Sequence, residues 1–185
     1  SLTFSAPAET VTREYRVDGA VWESSYTAPT LDGSHTVEVR DTDIAGNQAT
    51  GSLTFTLDTI AAAPTVSLAT DSTDGGLGHD GDNISNVGAF TVTGTEPGAT
   101  VEYSTDSTDG INGNWSATAP TVSADGDYSF YVHQIDVAGN VSNGTLFEFT
   151  LDSNVATPTV SLATDSTDGG LGHDGDQITN NASLT

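Results

Sequence analysis

Four carboxylates fall within twelve residues in the stretch Asp71-Ser72-Thr73-Asp74-Gly75-Gly76-Leu77-Gly78-His79-Asp80-Gly81-Asp82. The glycines between them let the backbone curl so that several oxygens face one point, which is the chemistry of a hard cation. Calcium accepts about six to eight oxygens at irregular geometry, whereas magnesium demands a stricter octahedron and keeps its water, so Ca2+ is the expected ion. The stretch is not an EF-hand, for it has neither the Asp-x-Asp-x-Asp-Gly run nor a closing Glu. Gly75 to Asp80 fits the opening of a Gly-Gly-x-Gly-x-Asp nonapeptide, but Asp82 sits where that repeat wants an apolar residue, and a single copy cannot stack into a roll. The reading is one calcium loop, with Asp71, Asp74, Asp80 and Asp82 as ligands; the alternative is a solvated Asp/Gly turn with no ion. His79 and His173 stand alone among carboxylates, which suits a solvated loop histidine better than a zinc ligand.

The same loop returns almost letter for letter. Pro64 recurs as Pro158, 158 − 64 = 94 residues on, and this offset generates Asp165, Asp168, Asp174 and Asp176 as a second ligand set and carries Asp58 onto Asp152. A second register runs at 136 − 43 = 93: Asp43-Ile44-Ala45-Gly46-Asn47 becomes Asp136-Val137-Ala138-Gly139-Asn140, and Trp22 becomes Trp115. Repeats of this length are whole domains. Asp136 and Asn140 are either further calcium ligands or the two ends of an Asx-type turn bonded to its own backbone, and the two roles are compatible.

Acidic side chains number 26 against three basic ones, Arg13, Arg16 and Arg40, for a formal charge of −23. Self-repulsion on that scale opposes compaction, and it excludes neutralisation of nucleic-acid phosphates and attraction to anionic membranes. Counter-charge must come from solution; clustering of Asp with Gly favours divalent metal over a uniformly acidic, halophile-style surface. There is no cysteine, hence no disulfide and no thiol nucleophile. No run of apolar residues is long enough to span a membrane. No Gly-x-Ser-x-Gly elbow occurs, a phosphate loop is impossible without lysine, and Asp80 with Asp82 would need a cleft to act as a glycosidase pair, so no enzyme is expected.

The elements that must carry these loops are strands. Thr65–Leu68, Phe90–Thr93, Thr100–Tyr103, Tyr128–Val132 and Leu146–Leu151 alternate with period two, and Glu96-Pro97-Gly98, Asp125-Gly126 and Ala138-Gly139-Asn140 punctuate them. The expected fold is all-β: tandem immunoglobulin-like antiparallel β-sandwich domains. Tyr128 after Asp125-Gly126-Asp127 reads as a tyrosine corner, and His35 holds that position in the first repeat. Trp22 and Trp115 follow hairpin loops of different length and are read as packing residues rather than a ligand platform.

The register divides the chain into residues 1–58, matching the repeat from its second strand onward; 59–152, a complete repeat; and 153–185, a linker, first strand and loop. Asn181 to Thr185 lead into the Ser-Leu-Thr with which residue 1 opens, as expected of a window on a longer array. The terminal strand, unable to bury its apolar face alone, is expected to pack on a neighbouring repeat or to be donated head to tail to another molecule. In this topology the first loop and the linker Asp lie at one pole and the Asp-x-Ala-Gly-Asn turn at the other. Each junction is therefore expected to gather ligands from one repeat's first loop, the linker Asp and the next repeat's turn.

Taken together, Pro64-Thr65-Val66-Ser67-Leu68, Asp80-Gly81-Asp82-Asn83-Ile84-Ser85-Asn86, Thr95-Glu96-Pro97-Gly98-Ala99, Trp115 and Asp136-Val137-Ala138-Gly139-Asn140 resemble the bacterial Ig-like extender repeats of large type I-secreted RTX and Bap-like surface adhesins. The resemblance implies an extracellular, cell-surface stalk in biofilm or host adhesion, stiffened by Ca2+ at its interdomain junctions, whose partners are neighbouring repeats of the same chain. It implies no nucleic acid and no direct membrane insertion. The first repeat departs from it, with Ala6-Pro7-Ala8-Glu9 in place of Glu-Pro-Gly-Ala. The rival reading is an Ig-like adhesion module whose loops or aromatic side chains bind a glycan or host protein.

Overall fold

The computed structural model describes residues 2–5, 7, 11–71 and 81–161. All regular structure among them is strand: β1 (Val11–Val17), β2 (Gly33–Asp43), β3 (Gln48–Leu57), β4 (Thr65–Leu68), β5 (Ile84–Ser85), β6 (Phe90–Thr93), β7 (Thr100–Ser104), β8 (Gly126–Ile135) and β9 (Thr145–Leu151). No helix of the described residues is long and apolar enough to cross a membrane.

In the second repeat the two-stranded sheet β4-β6 packs over the four-stranded sheet β5-β9-β8-β7. Alternation builds the interior. Phe147, Phe149 and Leu151 of β9 point inward and are buried, as are Phe130 and Val132 of β8. Val66 and Leu68 from β4, and Phe90 and Val92 from β6, close over them. Every strand expected in this repeat is present, and β8 extends to Ile135. The two-residue strand β5 escapes period-two reading; it pairs parallel with β9, Ile84 opposite Thr150.

Among the described residues the first repeat forms one sheet, β1-β2-β3, with antiparallel register from Val11–Asp43 to Val17–Val37 and onward to β3. Among its described residues Val37 is the sole buried hydrophobic side chain. All three arginines of the chain lie here, each paired directly across the strands: Arg13 with Asp41, Arg16 with Glu38, and Arg40 with Glu14, each at 2.6 Å.

The tyrosine corner is present. Tyr128 Oη donates to the Ala124 carbonyl at 2.8 Å and accepts from the Ser123 and Ala124 amides. The first repeat reproduces it with another side chain: His35 Nε2 meets the Leu31 carbonyl at 2.7 Å, the counterpart of Ala124, while Nδ1 meets Asp18 Oδ2 at 2.8 Å. Satisfying a carbonyl and a carboxylate together requires both ring nitrogens to donate, which only the imidazolium can do.

Candidate metal centre

The linker between the repeats is fastened by a closed ring of hydrogen bonds. Gln134 of β8 is fully buried; its Nε2 donates to the Ala62 carbonyl at 2.6 Å and its Oε1 accepts from the Glu96 amide at 2.8 Å. The Ala62 amide completes the ring by donating to Glu96 Oε1 at 2.7 Å. Two residues further on, the Pro64 carbonyl accepts from Thr145 Oγ1 at 2.6 Å.

Two turns present the acidic side chains. Glu96-Pro97-Gly98-Ala99 closes with the Ala99 amide on the Glu96 carbonyl, and Gly98 has φ +82°. Pro in second place and a left-handed Gly in third are what a type II turn requires. Gly98 faces Val137, so this turn lies against Asp136-Val137-Ala138-Gly139-Asn140. There Asp136 Oδ1 accepts from the Asn140 amide at 2.8 Å and Oδ2 from Asn140 Nδ2 at 2.7 Å, an Asx-type closure. Asn140 Nδ2 also donates to the Asp58 carbonyl at 3.1 Å, reaching across 82 residues to the linker.

The result is a convergence of Asp58, Glu96 and Asp136, with one oxygen from each within 4.8 Å of the others. Asp136 is buried and its two companions half-buried. Burial pushes the Asp136 carboxyl up, but hydrogen bonds from the Asn140 side chain and from the Asn140, Gly139 and Ala138 amides outweigh it and hold the group below the ordinary carboxylate range. Three negative charges this close repel one another strongly in a partly desolvated setting. The donor set, all carboxylate oxygen, fits a hard divalent cation, with backbone carbonyl or water oxygens completing its shell.

Of the residues singled out by sequence, Asp58, Asp136 and Asn140 therefore meet at one place. The third carboxylate there is Glu96; the first loop of the preceding repeat, expected at the same junction, lies outside the described residues. Only the place of Glu96 in a Glu-Pro-Gly turn, which orients the side chain back along the linker, could have pointed to it. Gln134, the hub of the strap, carried no signal in the sequence.

Asp71, Asp82 and Asp152 lie at the other end of the repeat, gathered around Ser85. Ser85 Oγ donates to the Thr70 carbonyl at 2.7 Å, and the Ser85 carbonyl accepts from the Asp152 amide at 2.9 Å. Asp71 Oδ2 accepts from the Gly81 amide at 2.5 Å, its Oδ1 is buried without a partner among the described residues, and Asp82 Oδ1 caps the Ile84 amide. Asp74, Asp80, Asp165, Asp168, Asp174 and Asp176, with His79 and His173, lie outside the described residues.

The longer hairpin loop of the second repeat is saturated from within. Asp106 accepts from Ser104 Oγ and from the Asn114 amide and side chain, and Asp109 accepts from Ile111 and Asn112. Hydrogen bonds from the Asn112 amide and side chain, with the Ile111 amide, bring the Asp109 carboxyl down to about 2. Both tryptophans pack on their hairpins: Trp115 stacks on His133 with centroids 3.6 Å apart, and Trp22 lies under the Arg16 and Arg40 guanidiniums at 4.5 and 4.3 Å.

A bacterial Ig-like domain family matches residues 2–59 and, again, residues 60–153. The two matches meet inside the linker that Asp58 opens. No curated protein matches the chain. Domains of this family are typically structural modules rather than enzymes, and they are common in surface and extracellular proteins. By both matches, and by the strand pattern that carries them, this all-β chain belongs to the bacterial Ig-like domain family.

Proposed function

We propose that these repeats are extender units of a large exported bacterial adhesin of the RTX or Bap-like kind, and that Ca2+ bound by Asp58, Glu96 and Asp136 stiffens the joint between them. The observation that carries this reading is the meeting of a linker carboxylate with two carboxylates of the following repeat. A cation held there ties the linker to two turns at once, so bending the joint would require breaking metal–oxygen bonds. Asp152 opens the next linker with the same residue, so the arrangement suits repetition.

Export gives the ion a second use. A site with a dissociation constant near ~0.1 mM gains about 2.7 kcal/mol at a hundredfold excess of calcium. That is a large share of the ~5–10 kcal/mol typical of a small domain. Inside the cell, at micromolar calcium or below, the gain vanishes and the acidic chain is easier to keep unfolded for passage.

Calorimetric titration of calcium into the chelator-stripped chain, with thermal unfolding in both states, tests the proposal. Sub-millimolar binding that raises the melting temperature, both lost in Asp136→Asn, is the expected result. No heat and identical unfolding with calcium and chelator would refute it.

A further inference from the structure

Each repeat carries a cleft between a hairpin loop and the segment that leads from it into the next strand. Isolated backbone pairs fix the equivalence: Tyr15 exchanges both amide–carbonyl bonds with Glu23 at 2.7 and 2.8 Å, and Tyr103 does so with Ser116 at 2.8 and 3.0 Å. The cleft of the second repeat holds about 200 Å³ and is lined by Tyr103, Thr105, Asn114, Ser116, Thr118 and Pro120. The counterpart of every one of these lines a cleft of about 400 Å³ in the first repeat. The cleft therefore belongs to the fold, and the repeats differ in what fills and lines it.

The difference starts in the hairpins. Tyr15 to Trp22 spans 22 − 15 = 7 residues, against 115 − 103 = 12 from Tyr103 to Trp115. The short loop closes because Asp18 and Gly19 both take left-handed conformations, φ +52° and +72°, and the Ala20 amide donates to the Val17 carbonyl. In the long loop Asn114, held to Asp106 by its amide and side chain, stands in the cleft; Val21 takes that place in the first repeat. The other exchanges run the same way, with Val17 for Thr105, Tyr26 for Ala119 and Leu31 for Ala124. Val21 and Leu31 are 73 and 76 % exposed. Large apolar side chains left in water around a concave site of this size mark a contact surface.

The charge at the rim defines what fits. Glu23 is exposed, and its carboxylate has no hydrogen bond or ion pair among the described residues, whereas Asp18 is taken by His35 and Arg16 by Glu38. The counterpart of Glu23 is the uncharged Ser116. The free charge of the cleft is thus negative, on a chain of net charge −23, and tyrosine rings such as Tyr15 and Tyr26 also favour cations. A second copy of this chain offers no such cation, since it has no lysine and its three arginines are each paired with a carboxylate.

We infer that this cleft of the first repeat binds a peptide segment of a different protein, one in which an aliphatic or aromatic side chain stands beside a lysine or arginine. The apolar side chain enters among Tyr26, Val21 and Leu31, and the cation sits at Glu23. The second repeat, with Asn114 and Ser116 in place of Val21 and Glu23, lacks the site.

Panning a phage-displayed library of random peptides on the full chain, in physiological salt, tests this. Enriched sequences are expected to join an apolar residue to Lys or Arg. Synthetic peptides made from them should shift the amide resonances of Val17, Val21 and Leu31 and leave those of Thr105, Asn114 and Ala124 in place. Val21→Asn with Leu31→Ala, which install the second repeat's residues at exposed positions, should abolish binding, and Glu23→Gln should weaken it about two- to fivefold, an effect that shrinks in high salt. Enriched peptides without a basic residue, shifts centred elsewhere, or no enrichment over the double variant would each overturn the proposal.

Discussion

The two Asp-x-Ala-Gly-Asn turns are internally alike and externally different. Asp43 takes the Asn47 amide and side chain at 2.8 Å each, and Asp136 takes the same groups of Asn140 at 2.8 and 2.7 Å. In both, hydrogen bonding holds the carboxyl below its ordinary range, led by the Asn47 side chain in the first turn and working against burial in the second. Among the described residues, Asp136 meets two other carboxylates and Asp43 belongs to no such group. The local motif therefore makes the turn, and what packs beside it decides whether the turn joins a carboxylate cluster.

A second pair teaches the same lesson. Glu14, Arg40 and Trp22 in the first repeat correspond to Glu102, His133 and Trp115 in the second: a cross-strand acid and base, with the base against an indole. His133 Nε2 lies 3.1 Å from Glu102. Arginine keeps its charge at any accessible pH; histidine presents a flat ring that stacks instead.

The largest contrast should be in the core. Phe147→Ala is expected to cost about 3–5 kcal/mol, because it removes a buried ring from a packed interior, whereas the equivalent Leu53→Ala should cost under about 1 kcal/mol. Urea unfolding of both variants measures this, and equal costs would contradict the burial difference. Next is calcium. Asp136→Asn is expected to abolish the calcium-dependent rise in stability, of about 2.7 kcal/mol at a hundredfold excess of ion, whereas Asp43→Asn leaves it intact. Thermal unfolding with calcium and with chelator separates them, and a response lost in both would place the ion elsewhere.

A smaller effect distinguishes the two corners by pH. The hydrogen bond to Asp18, with that to the Leu31 carbonyl, raises His35 above its ordinary 6.5, so its contribution is complete below about 6.5 and is lost as pH rises through the higher folded value. His35, with the Thr36 amide, lowers Asp18 below 3.8, so that contribution is present above about 3.8 and is lost as pH falls through the lower folded value. The first repeat should be firmest between these limits. His35→Tyr, which installs the second repeat's corner, should remove the alkaline decline; melting temperatures across pH 4–9 would show it, and an unaltered profile would exclude His35 as its source. The smallest expected change is Trp115→Phe, which keeps a ring on His133 and should alter near-ultraviolet dichroism more than stability.

Strand order and repeat length were legible because period-two alternation and Gly- or Pro-marked turns are local, and because β4 and residues 159–162 share one sequence. Tyr128 was legible as a corner for the same reason. That His35, in the same position, would form the corner bond was not, since imidazole needs Asp18, 17 residues away, to hold the proton that completes it. Glu96 was visible only as a turn residue, and Gln134 not at all.

What the sequence determined by itself is thus a tandem all-β array, strongly acidic, with its carboxylates concentrated in turns and linkers. Repeat register already set the linker Asp58 toward the Asp136 turn; tertiary structure alone added Glu96 as the third carboxylate. Asp58, Glu96 and Asp136 lie 38 and 40 residues apart along the chain, and they come together only because a buried glutamine straps the linker to β8 and two glycine turns pack side by side. Spacing in sequence carries no information about where Glu96 falls, because that is set by the register of strands that pair across the whole domain.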